Sequence, residues 1–147
     1  MKPNRLILLL FSSLFLLNSC EKQTGMDFLQ NKWKVQSVVN DDKRFTVPSE
    51  RTFLREEAYI LKFVNDTDFT MNTSVNYAGG SYQIVSEGHI VINYGEGTMV
   101  GASGYQKEFN EQLVSVFNGV MSYSYTKNKL IFRGEKNKEA VFVKQKK

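Results

Sequence analysis

Apolar and polar residues alternate along most of this chain, and such alternation is typical of β-strands. In the first predicted strand, residues 33–39, the alternation places Trp33, Val35 and Ser37 on one face. Further strands are predicted at residues 59–64, 69–72, 81–85, 89–94, 98–100, 121–125, 130–133 and 140–144. About eight short strands with tight turns favour an antiparallel barrel or sandwich over a parallel sheet.

One stretch has the period of a helix instead. The apolar residues that recur there at three- and four-residue spacing are Phe109, Leu113, Val116, Phe117 and Val120. Ser103 and Gln106 have the spacing of a capping box, and Asn118-Gly119 is a stop signal. We therefore predict one amphipathic helix over about residues 104–119, which covers an open end or one face of the sheet.

Two stretches between the signal region and the second strand are predicted to be irregular. Residues 44–57 are charged and contain Pro48, so we expect a long loop with one helical turn around residues 50–57. Phe28 and Leu29 are apolar residues ahead of the first strand. We expect them to begin a short turn that plugs one end of the fold.

The start of the chain has the layout of an export signal. Residues 1–5 are basic, and residues 6–17 form an apolar run that is too short to span a bilayer. Cys20 follows a Leu-x-Ser sequence, which resembles the lipobox of bacterial lipoproteins. That resemblance implies cleavage before Cys20, a diacylglycerol on its thiol and an acylated amino terminus. Two or more acyl chains give a stable anchor, whereas the alternative is an ordinary signal peptide with a chance cysteine.

This interpretation sets the expected organisation of the chain. Residues 1–19 are a signal peptide, residues 20–27 a flexible tether, and residues 28–147 one domain. Removing residues 1–19 lowers the formal net charge from +4 to +2, so the charge gives no reason to expect a nucleic-acid partner. Cys20 is the only cysteine, which excludes an intrachain disulfide. We expect a monomer, anchored in the outer membrane of a Gram-negative cell envelope, and leave open which side of the membrane it faces.

Several short motifs resemble those of the META domain (HslJ-like) family and of the broader lipocalin-like bacterial lipoproteins. They are Leu29-x-Asn31-x-Trp33, Leu61-x-Phe63, Asn76 with Gly80-x-Tyr82, Thr98-Met99, Phe109-x-x-x-Leu113-x-x-Val116, and Leu130 with Phe142. The resemblance implies a mainly β fold, a lipocalin-like antiparallel barrel of about eight strands with one helix. The family's usual cysteines are absent, with Val75 at one of their places, so a disulfide or redox role of relatives does not extend to this chain. The resemblance bears on the fold much more than on an activity.

The residues that often carry chemistry have a simpler interpretation here. His89 is the only histidine and falls on a polar strand face, where solvation is the expected state. Asp66 and Asp68 suit a turn better than a calcium site, which needs more oxygen ligands. Glu56-Glu57 and Asp41-Asp42 are adjacent acids in loops. We predict no catalytic residues, no metal site and no cofactor.

Aromatic residues at alternating positions are the remaining candidates for a binding site. Those that could face a barrel lumen are Trp33, Tyr59, Phe63, Tyr82, Tyr94, Tyr123, Tyr125 and Phe132. In a wide barrel they would line a pocket for a small apolar ligand, and in a small one they fill the core. Native packing density favours filling, because these bulky rings leave little void.

Three functions follow from these observations. The first is a lipid-anchored envelope lipoprotein with a non-enzymatic interaction or stress and envelope-maintenance role, whose partner is an unidentified envelope protein. The second is a carrier of a small hydrophobic ligand held in the barrel. The third is a hydrolase or a protease inhibitor. The sequence shows neither a catalytic motif of a hydrolase nor a recognisable inhibitor motif. Residues 43–57 are the one long candidate for an inhibitory loop.

Overall fold

The computed structural model describes residues 26–53, 55, 57–97 and 101–146. The predicted signal peptide, Cys20 and the strand predicted at 98–100 lie outside these residues. The strands are β1 (Lys32–Asn40), β2 (Lys43–Thr46), β3 (Ile60–Phe63), β4 (Asp68–Thr70), β5 (Ala78–Ser86), β6 (His89–Glu96), β7 (Gly119–Tyr125), β8 (Lys129–Arg133) and β9 (Glu139–Lys144). One α-helix, α1, spans Gly104–Val116, and 3-10 turns span Asp27–Gln30 and Glu50–Thr52.

Eight of these strands form a closed antiparallel barrel. The order is β1-β3-β4-β5-β6-β7-β8-β9, and β9 pairs with β1 to close the ring. Closure leaves few strand edges exposed, which suppresses edge-to-edge aggregation. The predicted mainly β, antiparallel, about eight-stranded barrel with one helix is confirmed.

β2 is an extra strand in a stretch that was predicted to be a loop. The first part of β1 pairs with β3, and the second part, Ser37–Asn40, pairs with β2. Asp41 and Asp42 have φ values of 47° and 64°, which makes the tight turn between β1 and β2. The prediction failed because β2 is short and carries only one inward apolar residue, Phe45, too little to show a period.

A β-bulge in β1 changes which residues face the core. The register of β1 against β9 shifts between Val35 and Ser37, so Val38 pairs with Ala140 inside the barrel. Ser37 was predicted to share a face with Trp33 and Val35, which is wrong. It lies on the outer face, where the guanidinium of Arg44 donates a 2.7 Å hydrogen bond to its hydroxyl.

Helix α1 lies at one end of the barrel and is shorter than predicted. It ends at Val116, because Gly119 already begins β7 with a φ of 94°. Ser103 makes no side-chain cap hydrogen bond, so the predicted capping box is not formed. Phe109, Leu113 and Val116 are buried as predicted. Val120, assigned from its spacing to the same apolar face, instead lies on the outer face of β7 and is 68% exposed.

The opposite end of the barrel is closed by the 3-10 turn of residues 27–30. The ring of Phe28 packs against Phe63, Tyr123 and Tyr125 at centroid distances of 5.5, 4.9 and 5.1 Å. The indole nitrogen of Trp33 donates a 2.7 Å hydrogen bond to the carbonyl oxygen of Phe28. These contacts confirm the prediction that this turn plugs one end.

Candidate functional site

The eight aromatic residues predicted to face a lumen all pack in or against the core of the barrel. Five are buried, namely Trp33, Tyr59, Tyr82, Tyr94 and Phe132, and three are half-buried at the plugged end, namely Phe63, Tyr123 and Tyr125. Phe63 and Tyr82 contact edge to face at 4.9 Å. Rings therefore occupy the interior of the described barrel, and a role for them in binding a ligand stays a prediction.

Phe117 lies at the centre of this aromatic interior. Its ring contacts Phe69, Tyr94, Phe132 and Phe142 at centroid distances of 5.7, 6.2, 5.0 and 5.4 Å. It is the residue directly after α1, so the end of the helix places a ring inside the barrel. Its helical spacing correctly marked Phe117 as apolar and inward. The spacing could not show that Phe117 contacts residues of four different strands, β4, β6, β8 and β9.

Buried tyrosine hydroxyls in the core have partners. The hydroxyl of Tyr94 donates to the carbonyl oxygen of Met71 at 2.9 Å, and that of Tyr82 donates to the carbonyl oxygen of Asn65 at 2.8 Å. Burial raises the pKa of Tyr82, and the negative charges of Asp66 and Asp68 raise it further. Tyr82 thus marks a place where the interior comes close to an acidic surface.

That surface belongs to a groove of about 580 Å³ at the plugged end of the barrel, called here the end groove. Apolar residues from the plug and from β5 line it, among them Met26, Leu29 and Ile84, while Asp66 and Thr67 contribute its polar rim. Met26 is 53% exposed, so apolar surface is open to solvent here. Tyr82, one of the predicted lumen residues, also lines this partly apolar opening.

The end groove exists because β4 is much shorter than β5. β4 pairs with Gly79–Ser81 only, whereas β5 continues to Ser86. The side-chain oxygen of Asn65 accepts hydrogen bonds from the amides of Thr67 and Asp68 at 2.8 and 2.7 Å, which holds the chain in a turn until β4 begins. The last part of β5 therefore lies beside a turn and not beside a strand.

Glycines bring the strands next to the end groove close together. Gly79 and Gly80 both lie within β5. A Cβ atom on Gly80 would collide with the carbonyl oxygen of Asn93, and one on Gly79 with that of Phe69. Only glycine allows this approach of neighbouring backbones.

A second, charged pocket of about 400 Å³ lies where the loop after β2 crosses β1 and β3. Glu57 is ion-paired with Lys32 at 2.7 Å and with Lys62, and Glu50 is ion-paired with Lys34. The hydrogen bonds from Lys32 and then Lys62 lower the pKa of Glu57. Both of these acids therefore already have basic partners.

The other predicted candidates do not come together. His89 is exposed on the outer face of β6, with its Nδ1 atom 3.2 Å from the hydroxyl of Ser86. Asp42 accepts a hydrogen bond from Asn137 at 3.1 Å, whereas Glu57 is engaged with lysines. Glu56 lies outside the described residues. Across the described ranges, His, Asp and Glu side chains form no group of three that could hold a metal ion.

The turn that contains Asp66 and Asp68 is built as predicted for Asn- and Asp-rich turns. A side-chain oxygen of Asp68 accepts hydrogen bonds from the side-chain amide of Asn65 at 2.8 Å and from the hydroxyl of Thr67 at 3.1 Å. Asp66 is exposed.

No helix in the described ranges is long and apolar enough to cross a membrane.

Comparison with known proteins places this architecture in a family. The model of the META domain family matches residues 26–147, which include the whole barrel and its helix. A search of curated proteins found no match.

Three solved structures resemble the chain. The NMR structure of a protein from Burkholderia xenovorans has a TM-score of 0.62 and 12% identity, over 82% of this chain and 86% of that one. A second NMR structure has a TM-score of 0.55 and 16% identity, over 80% and 93%. The crystal structure of a DUF4847 family protein from Bacteroides vulgatus ATCC 8482 has a TM-score of 0.52 and 20% identity, over 84% and 99%. Likeness at these identities concerns the fold alone.

Proposed function

This chain belongs to the META domain family, and we propose that it is a monomeric envelope lipoprotein whose barrel is a non-enzymatic interaction module. Lipid on Cys20 holds it in the outer membrane, and its role lies in envelope maintenance or stress. Residues 1–19 form the signal peptide and residues 20–27 the tether. The barrel is the part that meets a partner.

The packed interior is the observation that carries this proposal. Phe117 and the rings around it pack in contact inside the barrel, and the ring centroids of Phe117 and Phe132 are 5.0 Å apart. A filled core leaves the outer surface as the place for contacts. The end groove supplies exposed apolar surface there, which is a common mark of a docking site.

The anchor is tested by labelling the cells with radioactive palmitate. Label is expected in the wild-type protein and in Ser19→Ala, which keeps a small residue before the cysteine, but not in Cys20→Ser. Wild-type protein is expected in the outer-membrane fraction of a density gradient. Label in Cys20→Ser, or none in the wild-type protein, contradicts the anchor.

Ligand carriage is separated from the interaction role by native mass spectrometry of protein isolated from its own host. A filled barrel predicts the mass of the acylated chain alone. A further discrete mass that is lost on denaturation identifies a carrier and overturns the interaction proposal.

A further inference from the structure

We propose that the edge of β5 from Gln83 to Ser86, together with the end groove, binds an extended peptide as an added β-strand. The peptide carries apolar side chains and at least one Lys or Arg. This inference deepens the proposed function, on which it rests, by naming the surface and the chemistry of the partner.

The first argument is the direction of the backbone groups along β5. The amide of Tyr82 points away from β6 and donates a 2.7 Å hydrogen bond to the carbonyl oxygen of Thr67. In an antiparallel strand the groups two residues on point the same way, so the N–H and C=O of Ile84 also point away from β6. Within the described ranges no strand pairs with Ile84 on that side, and its amide and carbonyl have no backbone partner there.

The second argument is the contrast with the edge strand β2. On β2, the hydroxyl of Tyr105 accepts a hydrogen bond from the amide of Thr46 at 3.0 Å and donates one to its carbonyl oxygen at 2.8 Å. β2 also carries the exposed charges of Lys43 and Arg44, which discourage strand addition. The edge of β5 has no charged residue between Tyr82 and Ser86. One edge is protected and the other is left available.

The third argument is the surface that an added strand would cover. Val85, at the β5 bulge, is 60% exposed, and Met26 is 53% exposed. Leu29 and Ile84 are half-buried in the wall of the end groove. The edge from Gln83 to Ser86 is about 14 Å long at 3.4 Å per residue, which accommodates a peptide of about four residues. Backbone hydrogen bonds supply affinity in this mode of recognition, and side-chain pockets supply specificity.

The fourth argument is charge. Asp66 lines the end groove, Asp68 follows it in the same turn, and no Lys or Arg is among the residues that line the groove. A basic side chain on the peptide complements this rim. A second copy of the chain, paired β5 to β5, would bring an identical acidic rim instead. Charge therefore favours a foreign basic segment over self-association.

The probe is the acetylated and amidated peptide Thr-Val-Lys-Val-Lys-Val, added to the full acylated chain in detergent micelles. Amide hydrogen exchange is expected to slow at Ile84 by at least tenfold on binding, and to change little at Gln83, whose amide faces β6. Two control peptides should bind at least tenfold more weakly. One has every amide N-methylated, which removes the strand's donors, and the other has Glu in place of Lys.

Variants of Ile84 test the backbone directly. Ile84→Pro removes the outward N–H but no hydrogen bond to β6, the situation in which proline is tolerated in strands. It should weaken peptide binding at least tenfold, whereas Ile84→Ala, which keeps the N–H, should weaken it by less than threefold. Asp66→Asn should weaken binding and make it less dependent on salt. If Ile84→Pro does not fold, the weaker binding of the N-methylated peptide to the wild-type protein still tests the inference.

Equal binding of the N-methylated peptide, or protection at β2 instead of Ile84, overturns the inference. Protection of Ile84 that rises with protein concentration in the absence of peptide identifies a second copy as the occupant and also overturns it. Palmitate labelling is independent of these outcomes. A labelled protein that binds no strand peptide therefore refutes the inference and leaves the proposed lipoprotein in place.

Discussion

The hydroxyl of Tyr59 donates a 2.6 Å hydrogen bond to Oδ1 of Asn110, and both side chains are buried. Tyr59 stands just before β3 with a φ of 59°, a left-handed conformation that is unusual for a tyrosine. Its ring also packs edge to face on Phe109 at 5.2 Å. The helix is therefore joined to the barrel by a polar contact as well as by apolar packing.

Tyr59→Phe should destabilise the protein by about 1–3 kcal/mol, because it leaves a buried oxygen of Asn110 without this donor. The free energy of unfolding is measured by urea denaturation. Tyr105→Phe is the matched control, since it removes a hydroxyl whose hydrogen bonds are exposed. It should have a much smaller effect. Equal losses of unfolding free energy in the two variants would show that the buried hydrogen bond stabilises the protein no more than the exposed ones.

Phe117→Ala should destabilise the fold by about 3–5 kcal/mol, the range for removing a large buried ring. Phe117 is fully buried among other rings, so its removal leaves a cavity. Val120→Ala is the control and should change stability by no more than about 0.5 kcal/mol, because Val120 is an exposed surface residue. A large loss on Val120→Ala would mean that this residue faces the core, as its helical spacing predicted.

Gly80→Ala should destabilise the protein by about 1–3 kcal/mol, the usual range for overpacking. The added methyl group meets the backbone of Asn93 in the paired strand, which a side-chain rotation cannot relieve. Gly95→Ala is the control, since a Cβ atom there has no neighbour within 4 Å. Thermal unfolding compares the two variants. A Gly80→Ala protein as stable as the wild type would show that β5 and β6 separate easily.

Glu57 should make a contribution to stability that depends on pH. Because lysines lower its pKa in the folded protein, the ion pairs stabilise the fold above the ordinary carboxyl pKa of 4.5. This contribution is lost as the pH falls through the folded-state pKa. The difference in unfolding free energy between the wild type and Glu57→Gln should therefore be present at neutral pH and vanish in strong acid.

The same difference should shrink in about 1 M salt, where exposed ion pairs are screened. Glu87→Gln, on the exposed turn between β5 and β6, is the control and should change the unfolding free energy little at low or high salt. A Glu57→Gln difference that stays constant from neutral to acid pH would exclude the ion pairs as its cause.

Features with a strong local signal were predictable from the sequence. Alternation located the strands around Trp33, Leu61, Tyr82 and Ile90, because in a barrel one face of each strand is buried and the other is not. The three- and four-residue spacing located the helix for the corresponding reason. Phe28 was recognised as a plug because an apolar pair ahead of a strand has few other places to be buried.

Only the tertiary structure decided how these elements meet. The bulge that turns Ser37 outward depends on the register between β1 and β9. The sequence of β1 alone does not contain that register. The same holds for the edge at Ile84, because the pattern of β5 alone does not show that its neighbour β4 is too short to cover it. Local periodicity reports which face of a segment is buried. Register, closure and unpaired edges depend on interactions between segments, and these determined where the candidate binding surface lies.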